Sequence, residues 1–157
     1  MNINLHEHQK KTIKYFINSN QKGLLLYHEM GTGKTITTLM ICEKYKKKKL
    51  IICPKGIINI WKLEFKKINI KKISDYKIIT YEDILYNNKN FNNLYKSDLN
   101  KYILIIDESH NLNKILTKNY NIKYNNNYFI KLYKWLDSSY KTIMLSGTPF
   151  YNGITIF

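Results

Sequence analysis

The sequence is poor in several residue types, and each shortage narrows the class of protein. It contains no arginine, so all 26 of its basic residues are lysines. There are only two cysteines, Cys42 in a helix pattern and Cys53 in a strand pattern, so we expect them to pack as small hydrophobic side chains rather than form a disulfide. His6 and His8 lack partners at metal-ligand spacing. No zinc site is therefore predicted.

Long hydrophobic runs are also missing. No apolar stretch approaches the roughly 18 residues that a membrane-spanning helix needs, and residues 1–20 are polar with a helical pattern rather than a secretory signal. Hydrophobic residues make up 44% and charged residues 24% of 157 positions, which is typical of one globular domain. We expect an intracellular protein, whether nuclear, cytoplasmic or viral, that is not secreted.

The charge is strongly one-sided, with a formal net value of +15. Such a surface suits a polyanionic partner, because neutralised phosphates release counterions. Lysine without arginine, beside abundant Asn, Ile and Tyr, is also typical of AT-rich coding, so the charge favours nucleic-acid binding only modestly. Lys44 and Lys46–Lys49 are predicted to be a solvated helix end.

The most informative segment reads HEMGTGKT and runs from His28 to Thr35. It follows a buried-strand pattern at 23–27 and precedes a helix pattern at 35–45, which is the context that a phosphate-binding loop requires. His28 stands where the full motif has glycine. We predict an ATP-binding loop, or Walker A motif, made of Met30, Gly31, Thr32, Gly33, Lys34 and Thr35.

The chemistry explains these residue types. Gly31 and Gly33 permit positive φ and let backbone N–H groups approach phosphates, assisted by the start of the following helix. Lys34 would meet the β and γ phosphates, and Thr35 would offer its hydroxyl oxygen to Mg²⁺. ATP and Mg²⁺ are therefore the expected cofactors.

A second apolar strand, at 102–106, ends in Asp107-Glu108-Ser109-His110. At the carboxyl edge of a parallel sheet, Asp107 would hold Mg²⁺ and Glu108 would orient and deprotonate the attacking water. Taken alone, the pair reads more readily as a solvated acidic strand end. Its combination with the phosphate loop favours the catalytic interpretation.

Helix and strand patterns alternate along the chain, which predicts an α/β fold with parallel strands and right-handed crossovers. Helices are expected at 5–18, 35–45, 57–67, 81–86 and 128–136, and strands at 23–27, 50–53, 77–80, 102–106 and 142–145. Two stretches rich in Asn and Lys, 87–100 and 113–127, are predicted to be polar surface insertions.

Six segments occur in the order found in the first motor domain of superfamily 2 helicases. They are Leu5-His6-Glu7-His8-Gln9, the phosphate loop, Ile52-Cys53-Pro54-Lys55, Ile79-Thr80-Tyr81-Glu82, the DEAH-like box Asp107-Glu108-Ser109-His110, and Ser146-Gly147-Thr148-Pro149. Over nearly its whole length the chain resembles the amino-terminal RecA-like lobe, the helicase ATP-binding domain. The Swi/Snf-type translocase branch and related viral nucleoside triphosphatases are most similar. In that branch the loop commonly reads DEMGLGKT, so His28 replaces an aspartate.

The resemblance implies a RecA-like P-loop three-layer sandwich with a mostly parallel central sheet over residues 1–157. It also implies that Gln9 reads the adenine, the alternative being an exposed polar residue on a helix. Pro54, Lys55, Thr80 and Tyr81 match positions that contact the backbone of a tracked strand; taken as bare sequence, they are ordinary turns or helix caps.

The remaining matched positions would couple the nucleotide to the nucleic acid. The resemblance gives this role to His110, Ser146, Gly147 and Thr148, although Gly147-Thr148-Pro149 alone reads as a turn. Trp61 lies on an apolar helix face, and we expect it in the core rather than stacked on a base.

Two functions follow. The first is the ATP-binding lobe of a helicase or translocase acting on nucleic acid, which by resemblance is double-stranded DNA. Its second RecA-like lobe would lie outside this sequence, in cis or in trans, and would bring the arginine that this lobe lacks, so turnover alone should be slow. The second is a catalytically incomplete nucleotide-binding or interaction module that regulates a complete motor. A phosphate-loop kinase or transporter ATPase would leave the other motifs as coincidence.

Overall fold

One parallel five-stranded sheet organises the molecule. The computed structural model describes residues 4–29, 31–86, 89–112 and 126–147. The strands are β1 (Gly23–Tyr27), β2 (Lys48–Cys53), β3 (Tyr76–Thr80), β4 (Tyr102–Asp107) and β5 (Lys141–Ser146). Their order across the sheet is β1-β5-β4-β2-β3, and every neighbouring pair is parallel. The predicted parallel α/β architecture is confirmed.

Helices lie on both faces of this sheet. They are α1 (Glu7–Asn18), α2 (Lys34–Cys42), α3 (Ile58–Lys67), α4 (Tyr81–Leu85), α5 (Lys89–Tyr95) and α6 (Asn126–Asp137). Within the described ranges, no helix has the length and apolar character needed to cross a membrane.

The two faces of the sheet carry separate cores. Alternate residues of β4 point in opposite directions, so Ile103 and Ile105 pack in one core and Leu104 and Ile106 in the other. Helices α1, α2 and α3 cover the first core, and α4, α5 and α6 cover the second. All six residues of β4 are buried, as expected of a central parallel strand covered on both sides. The result is the predicted three-layer sandwich.

The prediction of a polar surface insertion at 87–100 is wrong. Residues 89–95 form α5, and Phe91, Leu94 and Leu99 are almost completely buried in the second core. Phe91 and Leu94 are three residues apart and share one face of α5, so an apolar stripe docks the helix although the segment is rich in Asn. The other predicted insertion falls mostly on residues 113–125, which lie outside the described residues.

The prediction that Lys49 is solvated is also wrong. Helix α2 ends at Cys42 in tight turns, with the N–H groups of Lys44 and Tyr45 donating to carbonyl oxygens only three residues earlier. Strand β2 therefore begins at Lys48, and strand alternation turns Lys49 inward, leaving it 4% exposed. Its Nζ atom lies 3.3 Å from the Tyr45 carbonyl oxygen and 3.6 Å from a Glu43 carboxylate oxygen, which satisfy the buried charge. Lys44, Lys46 and Lys48 are exposed as predicted.

Both cysteines pack in the first core as predicted. Cys42 and Cys53 have free thiols and no exposed surface. Burial raises the pKa of each thiol to about 12, so both remain protonated at neutral pH. Neither is a nucleophile, because reactivity requires the thiolate.

Candidate nucleotide-binding site

Three of the predicted motifs meet at the carboxyl edge of the sheet. Strand β5 lies between β1 and β4, with Tyr27 in register with Ser146 and Asp107 in register with Leu145. Because all three strands are parallel, the segments that follow them leave the sheet side by side. Open α/β sheets bind ligands at this edge.

The phosphate loop has the predicted backbone. Gly31 and Gly33 have φ of 83° and 80°, in the region that favours glycine. Gly33 caps α2, and its carbonyl oxygen accepts hydrogen bonds from both the backbone N–H and the hydroxyl of Thr37, each at 3.0 Å. The first N–H groups of α2 have no partner within the helix and attract anions. Met30, also predicted to bind ATP, lies outside the described residues.

Lys34 lies across this loop. Its Nζ atom donates to the carbonyl oxygens of His28 at 2.6 Å and Glu29 at 3.0 Å. The hydroxyl of Thr32 also donates to the Glu29 carbonyl, at 2.9 Å. Phosphate oxygens would give the ammonium stronger, charge-assisted hydrogen bonds than these neutral acceptors do. Thr35 follows in the first turn of α2 and is partly buried.

Gln9 attaches α1 to the phosphate loop. Its side chain is 4% exposed, so the alternative of an exposed polar residue on a helix is wrong. Its Nε2 atom lies 3.5 Å from the Thr32 carbonyl oxygen and 3.3 Å from that of Gly33, while its Oε1 accepts the His6 N–H at 2.8 Å. A small cleft opens beside it, lined among others by His8, Gln9, Thr12, His28, Thr32 and Lys34.

Asp107 ends β4 and is 9% exposed. Its Oδ1 accepts the backbone N–H of Glu108 at 3.0 Å, and its Oδ2 accepts the indole N–H of Trp61 at 3.0 Å. Burial raises the pKa of this carboxyl to about 6, while the Trp61 hydrogen bond and the nearby Lys34 charge lower it. Asp107 is therefore mostly ionised at neutral pH. With the Thr35 hydroxyl it offers the hard oxygen donors that suit Mg²⁺.

A tyrosine fixes the backbone at the acidic pair. The Tyr81 hydroxyl donates to the Asp107 carbonyl oxygen at 2.7 Å and to that of Glu108 at 3.2 Å. Glu108 has φ of 52°, which is uncommon for a residue with a side chain. Tyr81 is 4% exposed, and burial raises its pKa above the ordinary value, so its hydroxyl remains a donor. This shared hydrogen bond holds the turn that carries Glu108.

The predicted coupling residues lie between the acidic pair and β5. Nδ1 of His110 is 3.3 Å from a Glu108 carboxylate oxygen and 3.4 Å from the hydroxyl of the buried Ser146. A Cβ placed on Gly147 would come 4.0 Å from the His28 carbonyl oxygen in the phosphate loop. His110, Ser146 and Gly147, three of the four predicted coupling residues, thus lie between the phosphate loop and Glu108. Thr148 lies outside the described residues.

The four positions expected to contact nucleic acid lie on two neighbouring segments. Strands β2 and β3 are parallel, with Cys53 in register with Thr80, so Pro54-Lys55 and Thr80-Tyr81 leave the same edge together. Lys55 is exposed and Pro54 is partly buried. Thr80 is an N-cap, whose hydroxyl accepts the Asp83 N–H at 3.1 Å. Because the Tyr81 ring is buried, this segment would contact a nucleic-acid strand through its backbone.

Sequence reasoning missed two residues that support the acidic pair. It placed Trp61 in the core, which is confirmed by its complete burial, but not as a donor to Asp107. It placed Tyr81 beside nucleic acid, whereas in the structure the Tyr81 hydroxyl donates a hydrogen bond to the Asp107 carbonyl oxygen. Both contacts join residues far apart in sequence, so no local pattern could reveal them.

Comparison with known proteins agrees with this geometry. The family model described as SNF2-related domain matches residues 8–76, which include most of α1, the phosphate loop and β2. The Swi2/Snf2 ATPase core of Sulfolobus solfataricus, solved in complex with double-stranded DNA, is 25% identical with a TM-score of 0.70. The match covers 94% of this chain and 32% of that one. The chain is therefore similar to Swi/Snf-type superfamily 2 helicase lobes.

The curated proteins that this chain resembles are much longer. Switch 2 of Arabidopsis thaliana is 34% identical over 85 residues, covering 43% of this chain and 10% of the relative. The ATP-dependent helicase ULS1 of Saccharomyces cerevisiae is 35% identical over 75 residues, covering 42% of this chain and 5% of the relative. The chain therefore spans a tenth or less of these relatives.

Proposed function

We propose that this lobe binds Mg²⁺-ATP and hydrolyses it as part of a two-lobe motor that moves on or remodels DNA. The observation that carries the proposal is the meeting of Lys34 with Asp107 and Glu108 at one sheet edge, on either side of β5. A phosphate loop alone occurs in many ATP-binding proteins. At the same edge this chain also has the buried carboxylate of Asp107, followed by Glu108 on a turn held by Tyr81. This combination suits hydrolysis.

Each residue has a distinct part in the proposed reaction. The loop N–H groups and Lys34 bind the β and γ phosphates, and Thr35 with Asp107 holds the metal. Bound Mg²⁺ supplies charge neutralisation on the phosphates. Glu108 orients the attacking water and accepts its proton.

Gln9 is proposed to select adenine. Its amide already contacts the loop carbonyls and borders the cleft beside Lys34, so a base bound there would meet it. ATP should bind more tightly than GTP to the wild-type chain, and Gln9→Glu should reduce that ratio. Equal affinity of the wild type for the two nucleotides would remove the adenine role.

Double-stranded DNA is the proposed track. The Sulfolobus relative was solved with such a duplex, and the lobe carries a formal net charge of +15. Lys55 and the backbone at Thr80 and Tyr81 lie on adjacent segments at one edge of the sheet. Backbone contacts of this kind position a protein on DNA without reading its sequence.

Hydrolysis by this chain alone is expected to be slow. The sequence has no arginine, and an arginine finger supplied by another domain is worth about 10³ to 10⁵ in rate. A second RecA-like lobe, in cis or in trans, would provide it. Glu108→Gln should leave ATP binding intact and remove the residual turnover, since the water then lacks its base. Turnover that survives this substitution would mean that another group serves as base.

The test of the function is calorimetric titration of Mg²⁺-ATP into the wild-type chain, Lys34→Ala and Lys44→Ala. Lys44 is an exposed lysine just beyond α2 and serves as the charge-matched control. We expect strong loss of binding in Lys34→Ala only, because the loop loses the charge facing the phosphates. An ATPase assay with and without duplex DNA should then show little turnover in either condition.

Two results would overturn the proposal. If Lys34→Ala bound ATP like the wild type, the loop would not grip phosphates through Lys34. If the wild type bound no nucleotide, the chain would have the fold without the nucleotide chemistry, and a regulatory interaction module would become the better interpretation. The missing arginine already favours that module as the second candidate.

A further inference from the structure

Trp61 contributes one polar atom to the nucleotide site. The residue lies on α3, has no exposed surface and packs its rings against Phe65, with centroids 6.4 Å apart. Its Nε1 lies 3.0 Å from the Asp107 Oδ2 atom. Tryptophan has one donor and no acceptor. All of its polar capacity is therefore directed to a single carboxylate oxygen.

The second oxygen of Asp107 is held from another direction. Its Oδ1 accepts the Glu108 N–H at 3.0 Å, a bond from within the acidic loop itself. The terminal torsion of an aspartate is otherwise broad and weakly determined. One fixed donor on each oxygen sets the plane of the carboxylate, while each oxygen keeps a free lone pair for a metal.

We propose that Trp61 is the positioning residue of Asp107, and that its indole N–H orients the carboxylate for Mg²⁺. This role rests on the proposed function, because it needs Asp107 to be the metal ligand. Partners that hydrogen bond a ligating side chain from behind commonly set metal affinity. Trp61 supplies that partner from α3, an element separate from both the phosphate loop and the acidic loop.

A purely structural role for Trp61 predicts a different behaviour. Filling the core needs only the aromatic rings, and phenylalanine would retain most of that packing. Orienting Asp107 needs the N–H, which phenylalanine lacks. Trp61→Phe therefore separates the two roles, provided that metal-dependent and metal-independent binding are measured separately.

Trp135 offers a matched control. It also packs against aromatic rings, those of Phe91 and Tyr95, and its Nε1 donates to the Ser97 carbonyl oxygen at 3.2 Å. It is partly buried and packs against the core on the opposite face of the sheet. Trp135→Phe deletes the same group without touching Asp107.

The experiment measures ATP affinity with excess EDTA and with saturating Mg²⁺ for the wild type, Trp61→Phe, Trp135→Phe and Asp107→Asn. We expect Trp61→Phe to keep the metal-free affinity and to lose about tenfold or more of the enhancement by Mg²⁺, the usual effect of removing such a partner. Trp135→Phe should keep both affinities. Asp107→Asn should lose the enhancement.

The outcomes distinguish failure of the Trp61 role from failure of the proposed function. If Asp107→Asn loses the enhancement and Trp61→Phe retains it, Trp61 is only a core residue and the inference fails alone. If the wild type shows no ATP binding or no enhancement by Mg²⁺, the proposed function fails and the inference with it.

A second measurement serves if Trp61→Phe does not fold. Wild-type chain labelled with ¹⁵N should give two indole signals, assigned with Trp135→Phe. Mg²⁺ added to the ATP-saturated protein should shift the Trp61 signal, because the metal draws charge from its acceptor oxygen, and should leave the Trp135 signal unmoved. The shift should disappear in Asp107→Asn. An unmoved Trp61 signal, or one that persists in Asp107→Asn, would overturn the inference.

Discussion

The Gln9 side-chain amide occupies the space that a side chain on Gly33 would need. The Gln9 Nε2 atom lies 3.3 Å from the Gly33 carbonyl oxygen, and a Cβ added to Gly33 would come 2.3 Å from that nitrogen. Gly33 also has φ of +80°. A side chain at position 33 would therefore have to accept positive φ and displace the Gln9 amide, whereas one at position 31, with φ of +83° and open space around it, would meet only the backbone strain.

Three glycine substitutions separate these reasons. Gly31→Ala adds only the backbone strain of positive φ, about 1–2 kcal/mol, and should weaken ATP binding by roughly 5- to 30-fold if the loop must keep this shape. Gly33→Ala should cost more, because Gln9 must also move. Gly56→Ala, where nothing lies within 4 Å of the added Cβ, should change little. Calorimetric ATP titration compares them, and equal losses for Gly31→Ala and Gly33→Ala would show that the Gln9 contact does not constrain the loop.

Tyr81→Phe should destabilise the fold. The substitution removes the hydroxyl that serves the carbonyl oxygens of Asp107 and Glu108, leaving buried acceptors without this donor. The expected loss in the free energy of unfolding is about 1–3 kcal/mol. Tyr86→Phe is the control, because Tyr86 is 78% exposed and surface changes usually stay within about 0.5 kcal/mol. Urea denaturation measures both, and indistinguishable midpoints would show that the tether contributes no stability.

The sequence was sufficient for the architecture and for the phosphate loop because both are local. Apolar runs such as Ile103–Ile106 predicted the buried strands, and the alternation of elements predicted their parallel arrangement. The glycines at 31 and 33 specify their own backbone conformation. In each case the physical cause lies within a few residues of its effect, so a local pattern could reveal it.

The support of the site could not be predicted because it is non-local. Trp61 and Tyr81 reach Asp107 from separate elements, and only the sheet order brings β2, β3 and β4 together. Composition also misled. Asn-rich surroundings concealed the apolar stripe of α5, and the lysine run concealed the strand start that buries Lys49. In both places a few buried contacts outweighed the average character of the segment.

Mg²⁺-dependent ATP binding should weaken as the pH falls through about 6. Burial raises the pKa of Asp107 to about 6 in the metal-free protein, so below that pH a proton competes with the metal for the carboxylate. With ATP kept saturated with Mg²⁺, the ratio of metal-bound to metal-free ATP affinity should fall as the pH drops below about 6 and approach the ratio of Asp107→Asn. Asp107→Asn should show a smaller ratio that does not follow this titration.

Protonation of Asp107 would not itself unfold the protein. A carboxyl whose folded pKa lies above its unfolded value binds its proton more tightly in the folded state. Protonation of Asp107 between pH 6 and 4 therefore favours folding, while it opposes metal binding. Thermal denaturation at each pH provides the check. A ratio that stays constant from pH 7.5 to 5 would show that the carboxylate does not hold the metal.

Duplex DNA binding should weaken with salt, and Lys55 should account for a definite part of that dependence. Each lysine that meets a phosphate contributes close to one unit to the slope of log affinity against log salt concentration. Lys55 is exposed at the sheet edge beside Thr80, whereas Lys14 is exposed on α1. Lys55→Ala should therefore lower the slope by about one, and Lys14→Ala, with the same change in net charge, should leave it nearly unchanged.

Fluorescence anisotropy across a salt series measures both. Equal slopes for the two variants would mean that the lysines act only through overall charge and that DNA does not bind at the Lys55 edge. Affinity independent of salt would mean that the lysines do not contact DNA phosphates.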